Sequence, residues 1–243
     1  MKIRLISALL VCLLIFSAVM LIACDDEDEN NNDNMKITEI LMVNKTQVLG
    51  ESYVPANLTT VNSNYTNGGK TVQLESATAN AAIQMINAMR QAGITNVTIT
   101  SGYRTYAYQQ QLFDGYCNEE RANHPSWSEA QIKEKVLSYS AYPGTSEHQT
   151  GLCMDLITTE MAGLWNYGSE TPNNPYDKGF AETDAFVWLK KNAHKYGFIL
   201  RFPEDKTAIT GYSYESWHYR YVGVEHATEI YEQGICLEEY LAK

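Results

Sequence analysis

Two short stretches hold the residue types that metal-assisted chemistry needs. The first is SEHQTGLCMDL, residues 146–156, which sets an imidazole at His148 and a carboxylate at Asp155, with Gly151 between them. The second is ESWHYRYVG, residues 215–223, with Glu215 ahead of His218. A hydrolytic zinc takes three protein ligands, commonly histidines with one carboxylate, and keeps a fourth position open. Gly144 and Gly151 flank His148 and allow sharp turns there. Asp155 sits among apolar neighbours, so its carboxylate needs a partner, which a salt bridge, a turn cap or a metal would each provide. If 214–218 is extended, Glu215 and His218 point to opposite faces, and a bulge or turn is needed to aim both at one place. Glu215 is then either a support for a ligand or the base that deprotonates water at the metal.

Three of the five histidines read as surface or capping residues: His124 in a polar loop before Pro125, His194 near the end of an amphipathic segment, and His226 at the start of the last helix. Five cysteines are present. Cys12 falls in the apolar N-terminal run and Cys24 ends it. Cys117, Cys153 and Cys236 remain, an odd number that permits one disulfide at most. They read as small core residues with one possible disulfide, and none looks like a nucleophile.

The elements that must position these residues follow from periodicity. Apolar residues at Ala82, Ile83, Ile86 and Met89 predict a helix over 76–92, stopped by Gly93. Residues 96–104, NVTITSGYR, alternate as a strand entering a loop. Helices are predicted at 105–120, at 126–140 with Ser126 or Ser128 as N-cap, and at 183–197 between Thr183 and Gly197. CMDLI, FILRFP and WHYRYVG read as strands, 163–180 as a loop, and 224–243 as helix. The order lacks βαβ alternation, which predicts an α+β fold with a central antiparallel sheet flanked by helices. Trp127, Trp165 and Trp188 read as packing residues and Trp217 as a wall of the metal site. Tyr106, Tyr108, Tyr142 and Tyr212 are candidates to line a cleft.

The length, 243 residues, suits one domain plus attachments. The net charge of −11 argues against a nucleic-acid partner, because phosphate binding needs clustered Lys and Arg. Much of that acid lies in DDEDENNNDN, 25–34, which has no apolar residue and reads as a disordered tether. Ahead of it, Lys2 and Arg4 precede a nearly all-apolar run, Leu5–Ala23, which is either a membrane anchor or a secretory signal. Leu21-Ile22-Ala23-Cys24 resembles a bacterial lipobox. The expectation is a signal peptide at 1–23, a lipidated Cys24 opening the tether at 24–35, and a domain at 36–243 that begins with an extended arm at 36–69. The domain would then be extracytoplasmic, anchored to the bacterial cell membrane.

SEHQTGLCMD resembles the S-x-H-x-x-G-x-x-x-D motif of the VanY-type zinc D-alanyl-D-alanine carboxypeptidases, and ESWHYRYVG their E-x-W-H-x-R-Y-V-G motif. TSGYRTYAYQQQLF is similar to their S-x-Y-R-S-x-x-x-Q segment, GFILRFP to their G-F-x-x-R-Y-P, and LMVNKTQVLGESYVPANL to their lead-in, so the likeness spans roughly 37–243. Departures are Thr105 for Ser, Phe202 for Tyr and Cys153 where Ala is common, none at a residue given a chemical role. The resemblance implies a single hedgehog/DD-peptidase-like domain holding one Zn2+ on His148, Asp155 and His218. It implies Glu215 as general base, Arg104 holding a substrate carboxylate or the developing oxyanion, and Ser101, Gln109 and Ser146 positioning the peptide. Arg201 is either structural or borders the site. The substrates implied are peptidoglycan stem peptides ending in D-Ala, cleaved by a monomer. An L,D-carboxypeptidase acting on tetrapeptides and a non-catalytic, metal-containing wall-binding module are the alternatives.

Overall fold

The computed structural model describes residues 40–161 and 179–243, which belong to one compact unit, Asn34–Lys243. The expected signal peptide, Cys24, the tether, Trp165 and most of the loop expected at 163–180 lie outside the described residues. Among the described residues, no helix is long and apolar enough to cross a membrane.

The centre is a four-stranded antiparallel sheet in the order β3 (Val97–Ser101), β4 (Cys153–Thr158), β6 (His218–Tyr221), β5 (Phe198–Leu200). Side chains alternate across a strand. On β4, Met154 and Leu156 turn to the main core, joined by Tyr219 of β6. Cys153 and Asp155 therefore turn to the other face. In the register Asp155 pairs with His218 on one side and with Ser101 on the other, after an irregularity between Ile99 and Ser101. One transverse row of the sheet thus holds Ser101, Asp155 and His218.

Helix α1 (Ser76–Gln91) covers the core face with Ala79, Ala82, Met85, Ile86 and Met89. Met85, not Ile83, completes the buried stripe, since Ile83 is only partly buried. Truncating a fully buried Ile86 to Ala removes roughly 2–5 kcal/mol. α2 (Tyr106–Asn123) and α3 (Glu129–Leu137) pack on one another through Phe113, Cys117, Ile132 and Val136. Ser128, rather than Ser126, caps α3, in a capping box with Gln131. α4 (Asp184–Asn192) has Thr183 as its cap and runs by a 3-10 turn to Gly197. A short α5 spans Thr207–Thr210. The C-terminal helix is two pieces, α6 (Val224–Gln233) and α7 (Leu237–Leu241), because Gly234 at φ +63° ends the first.

The arm is not a plain extended segment. Its β1 (Leu58–Thr60) pairs with β2 (Gln73–Glu75), and 3-10 turns follow at Ser63–Tyr65 and Asn67–Gly69. The arm also holds the site loop: Leu49 N–H donates to the Gly144 carbonyl at 2.8 Å, and Gln149 Nε2 donates to the Gly50 carbonyl at 2.8 Å.

Gly102 follows β3 and lies close against β2: an added Cβ would lie 2.5 Å from the Gln73 carbonyl oxygen and 2.7 Å from Val72. Gly102→Ala is expected to lower stability by about 1–3 kcal/mol, read as a lower denaturation midpoint. A midpoint equal to wild type would contradict this packing.

Candidate metal centre

His148 reaches the sheet row from a 3-10 turn, Glu147–Thr150, closed by Gly151 at φ +69°. Its Nδ1 lies 2.6 Å from the Gly102 carbonyl, which leaves Nε2 facing the row, 3.3 Å from Asp155 Oδ2. Asp155 Oδ1 lies 3.3 Å from His218 Nδ1, and that nitrogen lies 3.3 Å from Glu215 Oε2. Residues 214–218 are not extended. A turn with His218 N–H donating to the Glu215 carbonyl at 3.3 Å bends the chain, so Glu215 and His218 meet.

His148, Asp155 and His218 are each at most 4% exposed, and Asp155 Oδ1 has no hydrogen-bond partner. Two imidazole nitrogens and a carboxylate oxygen, mutually close and with one buried oxygen unsatisfied, fit a zinc ion's donor set. Burial works against the Asp155 carboxylate, but the two imidazoles hold it well below its usual range.

Cys153 is the small buried residue that the sequence predicts, and the fold also sets it beside the two imidazoles. It is two residues before Asp155 on the same face of β4, so one ligating atom each of His148, Cys153 and His218 lies within 4.8 Å of the others. Burial raises its thiol, but the two imidazoles outweigh this and bring it down to about 7. Cys117, Cys153 and Cys236 are all free and buried, so the possible disulfide is absent from this structure.

Arg104 enters from the turn before α2. Its Nη2 donates to Asp155 Oδ2 at 3.0 Å and lies 3.1 Å from His148 Nε2. Nε donates to Ser101 Oγ at 3.1 Å and Nη1 to Gln109 Oε1 at 3.2 Å. Gln109 is buried, and its amide donates to the Ala141 carbonyl at 2.8 Å. Through its Oε1 it holds the Arg104 guanidinium at the edge of the site. Ser101 and Ser146 line a cleft of ≈ 340 Å3 together with Arg104, Glu215 and the candidate ligands. Its aromatic wall includes Tyr108, Tyr116, Tyr139, Tyr212, Phe202 and Trp217. Tyr106 and Tyr142 are not among the lining residues. His124 stacks on Trp127, His194 on Tyr231, and His226 bonds Tyr240, all away from this cleft.

Glu147 is the functional candidate that sequence reading missed. It is fully buried between Arg201 and Arg220 and also faces His218. Burial disfavours its charge, yet the two guanidiniums hold its carboxyl far below the usual range. A signal was present in the sequence: Arg201 and Arg220 each interrupt an apolar or aromatic strand, and a buried cation requires an anion.

Burial and Arg104 disfavour protonated His148, but Asp155 and Cys153 outweigh them and raise it to about 9. His218 is raised as well, with burial opposing Cys153 and Asp155. A ligating imidazole is neutral, so zinc must displace these protons. Zinc affinity is therefore expected to climb as pH rises through about 9. The zinc-free chain should behave oppositely, losing stability as pH rises from 6.5 through about 9, because imidazolium is favoured in its folded state. Calorimetric zinc titrations across that range check the first statement, and an affinity indifferent to pH would contradict it.

Residues 71–224 match the sequence profile described as VanY, D-alanyl-D-alanine carboxypeptidase. A D-alanyl-D-alanine carboxypeptidase of Enterococcus faecalis is 42% identical over 157 residues, covering 65% of this chain and 51% of that protein, so the chain spans about half the length of this relative. Among solved structures, a variant of the vancomycin-resistance D,D-pentapeptidase VanY in complex with Zn(II) is 34% identical with a TM-score of 0.64, covering 83% of this chain and 97% of that one. The L,D-carboxypeptidase LdcB is 33% identical with a TM-score of 0.67, covering 83% and 84% respectively.

Proposed function

This chain belongs to the VanY D-alanyl-D-alanine carboxypeptidase family, and from that membership we propose that it is a zinc D,D-carboxypeptidase that trims the terminal D-Ala from peptidoglycan stem peptides. The observation that carries the proposal is the meeting of His148, Asp155 and His218 on one sheet face with Glu215 beside them at the floor of a cleft. Zinc held by those three residues would supply Lewis acidity, which acidifies water and polarises a peptide carbonyl.

The chain's own groups account for the rest. Glu215, in the cleft and 18% exposed, takes the proton of the attacking water and passes it to the departing amine. Arg104 presents a guanidinium, oriented by Ser101 and Gln109, to the substrate's terminal carboxylate or to the oxyanion. Ser146 and the aromatic wall hold the peptide and limit water. Part of Arg104's charge already serves Asp155, so substrate must share this guanidinium with the site.

Cleavage of tetrapeptide stems is the second reading, favoured by the comparable likeness to LdcB. Incubating the full chain with penta- and tetrapeptide stems and weighing the products separates the two. Loss of one alanine from the pentapeptide is expected, whereas cleavage confined to the tetrapeptide would replace D,D with L,D specificity. No cleavage of either would leave the binding module. The lipobox-like Leu21-Ile22-Ala23-Cys24 and the acidic run after it support a further part of the proposal: a lipid on Cys24 tethers the domain outside the bacterial cell membrane, near such substrates. The protein is proposed to act as a monomer.

A further inference from the structure

Two arginines from the sequence motifs have no part in the chemistry proposed above. Arg201 and Arg220 are both fully buried, and both converge on Glu147. Arg201 Nε and Arg220 Nη1 each donate to Glu147 Oε1 at 2.7 Å. The other oxygen, Oε2, lies 3.4 Å from His218 Nε2. The far sides of the two guanidiniums lead away from the cleft. Arg201 grips Glu238 of α7 at 2.8 and 2.6 Å, and Arg220 Nη2 donates to the Leu41 carbonyl of the arm at 2.6 Å.

We infer that Glu147 is a positioning residue for the metal: it accepts the Nε2–H of His218, leaves Nδ1 beside Asp155 as the nitrogen that ligates, and ties this imidazole through Arg201 and Arg220 to α7 and the arm. The inference rests on the reading that His148, Asp155 and His218 hold zinc. An imidazole ligates through one nitrogen, and the partner of the other nitrogen fixes its tautomer and ring orientation. His148 has the Gly102 carbonyl in that part, and Glu147 is the counterpart for His218. A counter-ion role alone accounts for Oε1, which takes both arginines. It does not account for Oε2 being turned to the ligand histidine. The arrangement also explains why residues far apart in the chain, Leu41 and Glu238, end in contact with one buried network.

Glu147→Gln tests this in the full chain. The glutamine oxygen still accepts from the arginines, but an amide N–H turned to His218 Nε2 forces the proton onto Nδ1, the ligating atom. Zinc affinity, measured by competition with a chromophoric chelator, is expected to fall about 10–100-fold. The visible absorption of the cobalt-loaded protein is expected to shift, a readout that a merely structural role would not move. Wild-type protein gives a second measurement that does not depend on the variant folding. By reciprocity, zinc should slow amide exchange in the arm near residues 40–43 and in Leu237–Leu241, on the order of tenfold or more. Wild-type zinc affinity and an unchanged cobalt spectrum in Glu147→Gln would overturn the inference. Zinc-induced protection confined to the Glu147–Thr150 turn, β4 and β6 would overturn it too, and in both cases zinc binding by the wild type would leave the proposed site standing. A wild type that takes up no zinc would sink both.

Discussion

Glu215→Gln is expected to lower stem-peptide turnover by about 10²–10⁴-fold while zinc stays bound. Glutamine keeps the size and polarity of the side chain but cannot take and return a proton. Glu215 Oε2 lies 3.3 Å from His218 Nδ1, close enough to serve either as a base beside the metal or as another ligand. Turnover and metal content measured on the same sample separate these roles. Loss of turnover with a full complement of zinc identifies the base. Loss of zinc along with turnover would make Glu215 a ligand, and unchanged turnover would remove it from the chemistry. The position favours the base, because Glu215 is 18% exposed in the cleft whereas Asp155 is 1% exposed and already stands between the two imidazoles.

Asp155→Asn is expected to have the largest effect on the metal itself. Zinc affinity should fall by more than the roughly 10–100-fold that loss of a supporting residue costs, and turnover should fall to background. Asn keeps the shape and can still accept from Arg104 Nη2, so the fold is retained. What it loses is the charge that balances Arg104 and a divalent ion in a buried place. Chelator competition and a denaturation curve on the same preparation check this. Wild-type zinc affinity in Asp155→Asn would exclude Asp155 as a ligand. The two substitutions thus differ in kind, one separating chemistry from metal binding and the other removing the metal.

Much of the helical scaffold was legible because its cues are local. Apolar spacing and Gly93 bounded α1, and Thr183 and Gly197 bracketed the segment containing α4. The break of the C-terminal helix at Gly234 was a local cue that went unread. The arm's pairing was hidden for another reason, since β1 finds β2 across intervening turns and three-residue strands carry almost no periodicity. At the site, spacing suggested that His148, Asp155, Glu215 and His218 could do chemistry, but not that they would meet. The Asp155–His218 pairing is a register between strands far apart in sequence, and the turn at Glu215 depends on its N–H donating to the Phe202 carbonyl. In the sequence, Glu147 is one acid in the polar run SEHQT. Its partners, Arg201 and Arg220, come from two other strand segments, so its burial is a tertiary fact. Gln109 shows the converse: its motif marked it as important, and the fold adds the partners the sequence could not name, Arg104 and the Ala141 carbonyl.

The most direct measurement is anomalous diffraction at the zinc edge from crystals of the domain grown with zinc. One strong peak bonded at about 2.0–2.2 Å to His148 Nε2, His218 Nδ1 and a carboxylate oxygen of Asp155 is the predicted result. A zinc peak elsewhere, or none at this cleft in metal-replete crystals, would contradict the account.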